Sequence, residues 1–167
     1  MSDKNFSDEV LIEVLKRPEM LRVLRHMHFA KVDYAKNTTR YTDIPQMRVT
    51  DHLKCLHSME LLDIYGNTSI KRTEAILKKS AEVHKHHTYY QINRNGDLLL
   101  KQATPKNYLK LIGSETIEIL ERPREMSEHS EMLVILREFG LIDQENKITN
   151  LGNEILKYVR LNNKLRH

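Results

Sequence analysis

Residues 46–64, QMRVTDHLKCLHSMELLDI, constrain the fold more than any other segment, because a helical apolar pattern passes directly into a strand pattern. Four apolar residues recur at the spacing of one helix face: Val49, Leu53, Leu56 and Met59. An apolar stretch at residues 61–65 follows at once. The segment therefore predicts a helix over residues 46–59 that leads into a β-strand.

The outer face of this predicted helix is polar. It carries five hydrogen-bonding or charged side chains: Arg48, Thr50, Asp51, Lys54 and His57. Such side chains can contact the edges of bases in a nucleic acid, and the alternative for each of them is an ordinary solvated position.

Composition limits the class of protein. The 167 residues, 40% hydrophobic and 30% charged, are typical of a globular chain. No apolar run approaches the roughly 20 residues that span a bilayer, and the first ten residues lack the basic and apolar regions of a signal peptide. The single cysteine, Cys55, excludes an internal disulfide and fits a reducing compartment. We expect a cytoplasmic protein without membrane association.

The net charge of +4 lies entirely in the first part of the chain. Residues 1–103 hold 17 Lys and Arg against 13 Asp and Glu, whereas residues 104–167 hold 10 of each. Residues 68–87 carry five cations against two glutamates: Lys71, Arg72, Lys78, Lys79 and Lys85. This basic segment favours phosphate contact or, alternatively, forms a solvated surface loop.

Capping and breaking residues predict the remaining elements of the first part. Ser7 is expected to cap a helix that ends near Lys16, and Pro18 to begin a second helix that runs to about Lys31. Asn37, Thr38 and Thr39 predict a polar break before a short helix over residues 40–44. Pro45 then separates this short helix from the helix over residues 46–59.

The next elements are predicted to include a pair of strands. Residues 61–65 and 87–92 have strand patterns and should pair, with a long tip over residues 66–87 between them. The sequence leaves open whether this tip holds a short helix or a flexible basic loop. Residues 93–96 predict a turn, and residues 97–102 predict a helix.

The second half is predicted to be mostly helical. One helix starts at Thr104-Pro105, is interrupted at Gly113-Ser114, and resumes as far as Arg122-Pro123. A helix from Ser127 to Gly140, two short strands over residues 141–149 and a last helix from Leu151 should follow. The expected fold class is mainly α with small β-hairpins (α+β), with an N-terminal domain over residues 1–103 and a C-terminal domain over residues 104–167.

Part of the chain is repeated. Residues 61–63, LLD, with residues 92–101, INRNGDLLLK, resemble residues 141–143, LID, with residues 148–157, ITNLGNEILK. The repetition predicts two copies of one supersecondary unit.

The sequence gives little support for metal binding or catalysis. His84, His86 and His87, with His26 and His28, supply enough nitrogens for a metal, but no spacing fixes their geometry, so we predict no metal site. The seven methionines are predicted to fill the core. No phosphate-binding loop or catalytic motif is recognisable, so we predict that the protein is not an enzyme.

The predicted order of helix, short helix, turn, helix, strand, long tip, strand and helix resembles the winged helix-turn-helix domains of archaeal and bacterial transcription regulators. It is most similar to the HxlR-like, PadR-like and MarR-like groups, over residues 17–101. Four segments carry the resemblance: RYTDIP at 40–45, VTDHLKCL at 49–56, ELLDI at 60–64 and YYQINRNGDLLLK at 89–101. The chain departs from the pattern at Glu60, where such proteins commonly have Gly, and in the length of the tip.

The resemblance implies a transcription regulator that binds double-stranded DNA sequence-specifically and without a cofactor. The helix over residues 46–59 would enter the major groove through Gln46, Arg48, Thr50, Asp51 and Lys54. The tip would contact the backbone or minor groove through Lys71, Arg72, Lys78 and Lys79. Thr39 and Arg40 are expected at the N-terminus of the short helix, where backbone amides attract phosphate.

The second copy of the repeat is less suited to DNA. Val134, Glu131 and Ser130 occupy the positions of Lys54, Asp51 and Thr50. This helix is apolar nearly all round, which predicts burial against another surface and favours packing on the first half or a homodimer. The alternative function is a tandem winged-helix scaffold that binds a protein partner and not DNA.

Overall fold

The computed structural model describes residues 8–66, 87–125 and 130–164. The described helices are α1 (Asp8–Leu15), α2 (Pro18–Ala30), α3 (Ala35–Thr42), α4 (Gln46–Ser58), α5 (Arg94–Gln102), α6 (Pro105–Ile112), α7 (Glu115–Glu121), α8 (Glu131–Glu138) and α9 (Asn150–Lys164). The strands are β1 (Val32–Tyr34), β2 (Leu62–Ile64) and β3 (Tyr89–Ile92), and Pro123–Glu125 form a short 3₁₀ helix. The α+β class, mainly helical with a small antiparallel sheet, is confirmed.

The chain divides into two compact units. The central unit is Glu19–Lys101, and the split unit combines residues up to Pro18 with those from Gln102 onward. The division near residue 102 lies beside the domain boundary expected after residue 103, whereas α1 belongs with the second half.

The central unit contains a sheet in the order β1-β3-β2, with both pairs antiparallel. The predicted pairing of residues 61–65 with residues 87–92 is confirmed: Leu62 pairs with Ile92, and Ile64 with Tyr90. Helix α4 packs on α3 and on β2. Val49, Leu53 and Leu56 of α4 are fully buried, as their spacing predicts.

In the central unit, sequence reasoning missed one element and gave two wrong local predictions. The sequence showed no strand at Val32–Tyr34, which forms β1. Asn37, Thr38 and Thr39 lie inside α3 and do not form a break, because α3 begins at Ala35. Residues 94–96 belong to α5 and not to a turn.

The split unit follows its predicted order. Thr104 caps α6 by accepting a hydrogen bond from the Asn107 amide, and Gly113 and Arg122 end α6 and α7. Helix α8 begins at Glu131, later than predicted; the expected cap at Ser127 lies outside the described residues, as does Ser7. Two short strands were predicted over residues 141–149, but the described structure has only an isolated β-bridge there, between Ile142 and Ile148.

The predicted repeat appears as a repeated set of backbone contacts. The amides of Leu61 and Leu141 each bond the carbonyl five residues earlier, at 3.0 and 2.8 Å. A side-chain atom at Gly96 would collide with the Leu61 carbonyl oxygen, and one at Gly152 with the Leu141 carbonyl oxygen. The same helix end and glycine-containing helix therefore occur in both units.

Candidate nucleic-acid interface

Helix α4 presents an exposed outer face. At about 100° per residue, Met47, Asp51 and Lys54 lie opposite the buried line of Val49 and Leu53. All three outward residues are exposed. The face is therefore open to a macromolecular partner along about two helical turns.

The predicted contact residues of α4 lie on or beside this face. Gln46 and Arg48 are exposed on its two flanks. Thr50 is half-buried and its hydroxyl donates to the Gln46 carbonyl oxygen at 2.9 Å, so it can accept a further hydrogen bond but its proton is engaged. The structure thus places five of the predicted contact residues on or beside one helix face: Gln46, Arg48, Thr50, Asp51 and Lys54.

A tight turn fixes α4 against α3. Asp43 has a left-handed backbone, with φ of 55°, and its amide bonds the Thr39 carbonyl at 3.1 Å. Ile44 is buried after the turn, and Arg22 of α2 donates to the Thr42 carbonyl at 3.3 Å. The end of α3 and the start of α4 are consequently held by both backbone and side-chain contacts.

The prediction for Thr39 and Arg40 is wrong in one respect. Both residues lie in the second half of α3 and not at a helix N-terminus, so backbone amides do not assist them. The Thr39 hydroxyl donates to the Ala35 carbonyl at 3.0 Å. Arg40 is exposed in the last turn, where a cation is favourable to the helix dipole.

A buried carboxylate explains why α3 starts early. Asp33 is 3% exposed and its carboxylate accepts from the His26 imidazole at 2.6 Å, the Tyr34 amide at 2.8 Å and the Asn37 side chain at 2.9 Å. The Thr38 hydroxyl lies 3.4 Å from the same carboxylate. Two polar residues that predicted a break are therefore engaged by Asp33, which lies in β1.

The N-terminus of α3 opens onto a small cavity beside α4. Its volume is about 170 Å³, and it is lined by residues of four elements or their flanks: Tyr34, Ala35, Lys36, Gln46, Thr50, Leu53, Lys54, His87, Thr88 and Tyr90. Burial raises the pKa of the Tyr90 phenol, which therefore stays neutral. Lys36 and Lys54 make the rim of this cavity cationic, which suits an anion such as phosphate.

The base of the long tip adjoins this cavity. The Tyr65 amide bonds the Tyr89 carbonyl at 2.9 Å, and the rings of Tyr34 and His87 stack with centroids 4.6 Å apart. His87 and Thr88, which precede β3, line the cavity together with Gln46 and Lys54 of α4. The predicted tip contacts lie outside the described residues: Lys71, Arg72, Lys78 and Lys79.

Sequence reasoning missed three residues of this surface. Met47 was predicted to fill the core, yet its side chain is 79% exposed. Lys36 lies on the cavity rim, and Glu19 of α2 pairs with Arg48 at 3.1 Å. Only the position of Met47, two residues before buried Val49, could have indicated an outward side chain.

The histidines considered for metal binding have other partners. His26 bonds Asp33, and Nδ1 of His28 lies 2.6 Å from Oδ1 of Asp97. Among the residues that the structure describes, no group of three or more His, Cys, Asp and Glu side chains could hold a metal ion. His84 and His86 lie outside the described ranges. None of the helices described here is both long and apolar enough to cross a membrane.

Comparison with known families identifies the region that carries this surface. The model of a family described as "Uncharacterized protein conserved in archaea (DUF2250)" matches residues 11–103, more than half of the chain. The chain belongs to the DUF2250 family. The DUF2250 match contains the whole central unit, including α4 and the sheet. No curated protein and no solved structure matches the chain.

Proposed function

We propose that the central unit is a winged helix-turn-helix module of a sequence-specific, double-stranded DNA-binding transcription regulator. The order of α2, β1, α3, α4, β2, β3 and α5 supports it, as does the sheet order β1-β3-β2. The observation that carries the proposal is the exposed face of α4 beside the base of a basic tip.

Helix α4 is the element proposed to enter the major groove. A helix with side chains is about 10–12 Å wide, and the major groove is about 12 Å wide. The first two turns of α4 project from the turn after α3, with Arg48 and Lys54 exposed. Arg48 would contact a guanine edge, since a guanidinium can bond guanine O6 and N7 together.

Cations around α4 would contact the backbone. Lys36, Arg40 and Lys54 are exposed on α3 and α4. In the proposal they bind phosphates, with Lys71, Arg72, Lys78 and Lys79 of the tip extending the contact along the duplex. Phosphate contacts add affinity and salt dependence but carry no sequence information directly.

The split unit is proposed to join two copies of the chain. Its α8 corresponds to α4 in the repeat, yet Val134, at the position of Lys54, is a 46% exposed apolar residue. A homodimer would cover this side chain and present two central units to two half-sites. Light scattering after size-exclusion chromatography should give twice the chain mass; a monomer at tens of micromolar would contradict the dimer alone.

Selection of binding sites from a pool of random duplexes tests the function. Purified protein should enrich one sequence motif over successive rounds. A variant with Arg48→Ala and Lys54→Ala together should enrich none, while Lys106→Ala, an exposed change in the split unit, should leave the motif intact. Recovery of no motif by wild-type protein, together with a co-purifying protein partner, would replace the proposal by the scaffold alternative.

A further inference from the structure

Met47 is the second residue of α4, and its side chain is 79% exposed, more than any other large apolar side chain among the described residues. Its neighbours on the helix are Gln46 and Arg48, both exposed. Covering a methionine side chain stabilises an interface because apolar surface is removed from water, and no described residue of the fold covers this one. The exposed side chain therefore has no role in the core.

Met47 shares the outermost line of α4 with Asp51. Residues four apart lie about 40° from one another around a helix and about 6 Å along it. Asp51 is exposed, and its carboxylate has no partner among the described residues that would hold it in place. An apolar group and an acidic group thus stand at the centre of the face, with Arg48 and Lys54 beside them.

The Met47 side chain and the Asp51 carboxylate can contact different chemical groups in a major groove. The only apolar feature there is the C5 methyl of thymine, and only cytosine N4 and adenine N6 present donors that a carboxylate can accept. Phosphates repel a carboxylate. In a complex with DNA, the Asp51 carboxylate must therefore face the edges of the bases and not the backbone. The exposed cations of α3 and α4, which outnumber Asp43 and Asp51, favour an anionic duplex over an apolar protein groove.

We propose that Met47 and Asp51 determine the base preference of α4. Met47 covers the methyl group of a thymine, and Asp51 accepts a hydrogen bond from the N4 amino group of a cytosine. The 6 Å between the residues corresponds to about two base-pair steps, so the thymine and the cytosine lie within that distance. The inference rests on the proposed function and specifies the ligand of the same surface.

Replacement of single thymines by deoxyuridine tests the role of Met47, because deoxyuridine lacks only the methyl group. In the duplex selected by wild-type protein, one such replacement should weaken binding about fourfold, the equivalent of about 0.8 kcal/mol for one buried methyl. Met47→Ala should bind the thymine duplex more weakly and be insensitive to the replacement. Met47→Leu should retain the sensitivity, and Lys106→Ala, at an exposed position of the split unit, should leave it unchanged.

Exchange of the carboxylate for an amide tests the role of Asp51. Asparagine pairs with adenine N6 and N7, so Asp51→Asn should select adenine in place of cytosine within about two steps of the sensitive thymine. Both positions are exposed, so the variants should keep the wild-type melting temperature. Sequence-specific binding without any methyl-sensitive thymine, or an unchanged motif with Asp51→Asn, would overturn this inference alone. Failure of wild-type protein to bind any duplex would overturn the proposed function as well.

Discussion

The Glu19 carboxylate of α2 lies beside the Arg48 guanidinium of α4, with Oε1 3.1 Å from Nη1. Its second oxygen lies 3.3 Å from Nε2 of His52. The Arg48 side chain is 58% exposed, and exposed ion pairs contribute only about 0–1 kcal/mol. Glu19 therefore positions Arg48 at the edge of the outer face without holding it firmly.

Removing this carboxylate should strengthen DNA binding. Glu19→Gln frees Arg48 from a competing charge and removes an acid that would face phosphates. Because exposed ion pairs contribute little energy, we expect only about threefold higher affinity. Fluorescence anisotropy with the selected duplex measures the change. Glu13→Gln, which removes the partner of Arg17 in the split unit, is the matched control and should have no effect. Unchanged or weaker binding by Glu19→Gln would contradict the competition.

The Asp33 network should matter for stability. Asp33→Ala leaves His26 and Asn37 without their buried acceptor, so we expect the free energy of unfolding to fall by about 3 kcal/mol. Urea denaturation followed by circular dichroism measures the loss. Asp51→Ala, at an exposed position of the same unit, should change it by less than about 1 kcal/mol. Equal effects of the two substitutions would show that the network contributes little.

The repeated glycines should tolerate no side chain. A Cβ at Gly96 would lie 2.8 Å from Ile92 Cγ1, and one at Gly152 would lie 2.8 Å from Ile148 Cγ2. Each substitution to alanine should therefore cost about 1–3 kcal/mol, as overpacking does. Gly66→Ala is the control, because no atom lies within 4 Å of a Cβ there. Thermal denaturation of the three variants should separate Gly66→Ala from the other two, and a common melting temperature would argue against the close packing.

Glu60 should be replaceable with a gain in stability. Its φ is 59°, a left-handed conformation that costs a residue with a side chain about 1–2 kcal/mol, and its counterpart in the repeat is Gly140, with φ of 69°. Glu60→Gly relieves this strain, but glycine loses more chain entropy on folding, so we expect the free energy of unfolding to rise by only about 0.5–1 kcal/mol. Glu60→Ala keeps the strain and should bring no gain. A lower stability of Glu60→Gly in urea denaturation would contradict this account.

Apolar spacing sufficed to predict α4, because Val49, Leu53 and Leu56 pack in one line whatever surrounds them. Local preference failed at α3, where Asn37 and Thr38 favour a break in isolation but bond Asp33 across the turn from β1. Local preference also gave the wrong prediction at Gly96, where it indicated a turn. Gly96 lies in α5, and glycine is needed there because a Cβ would collide with the Leu61 carbonyl oxygen. Such contacts depend on tertiary structure and leave no local pattern.

The candidate interface was also predictable only in part. The polar residues of α4 follow from the helix period once its buried line is known. Met47 lies on the outward side by the same period, but methionine is usually buried, so its 79% exposure was not predicted. The pairing of Glu19 with Arg48 also joins two helices, and no sequence spacing indicates it.

The salt dependence of binding tests the central claim most directly. Affinities for the selected duplex and a scrambled duplex should be measured by anisotropy between about 50 and 200 mM salt. We predict that log affinity falls linearly with log salt for both duplexes, with Arg48→Ala reducing the preference for the selected duplex and Lys78→Ala weakening both alike. Absence of binding to any duplex at the lowest salt concentration would contradict the account.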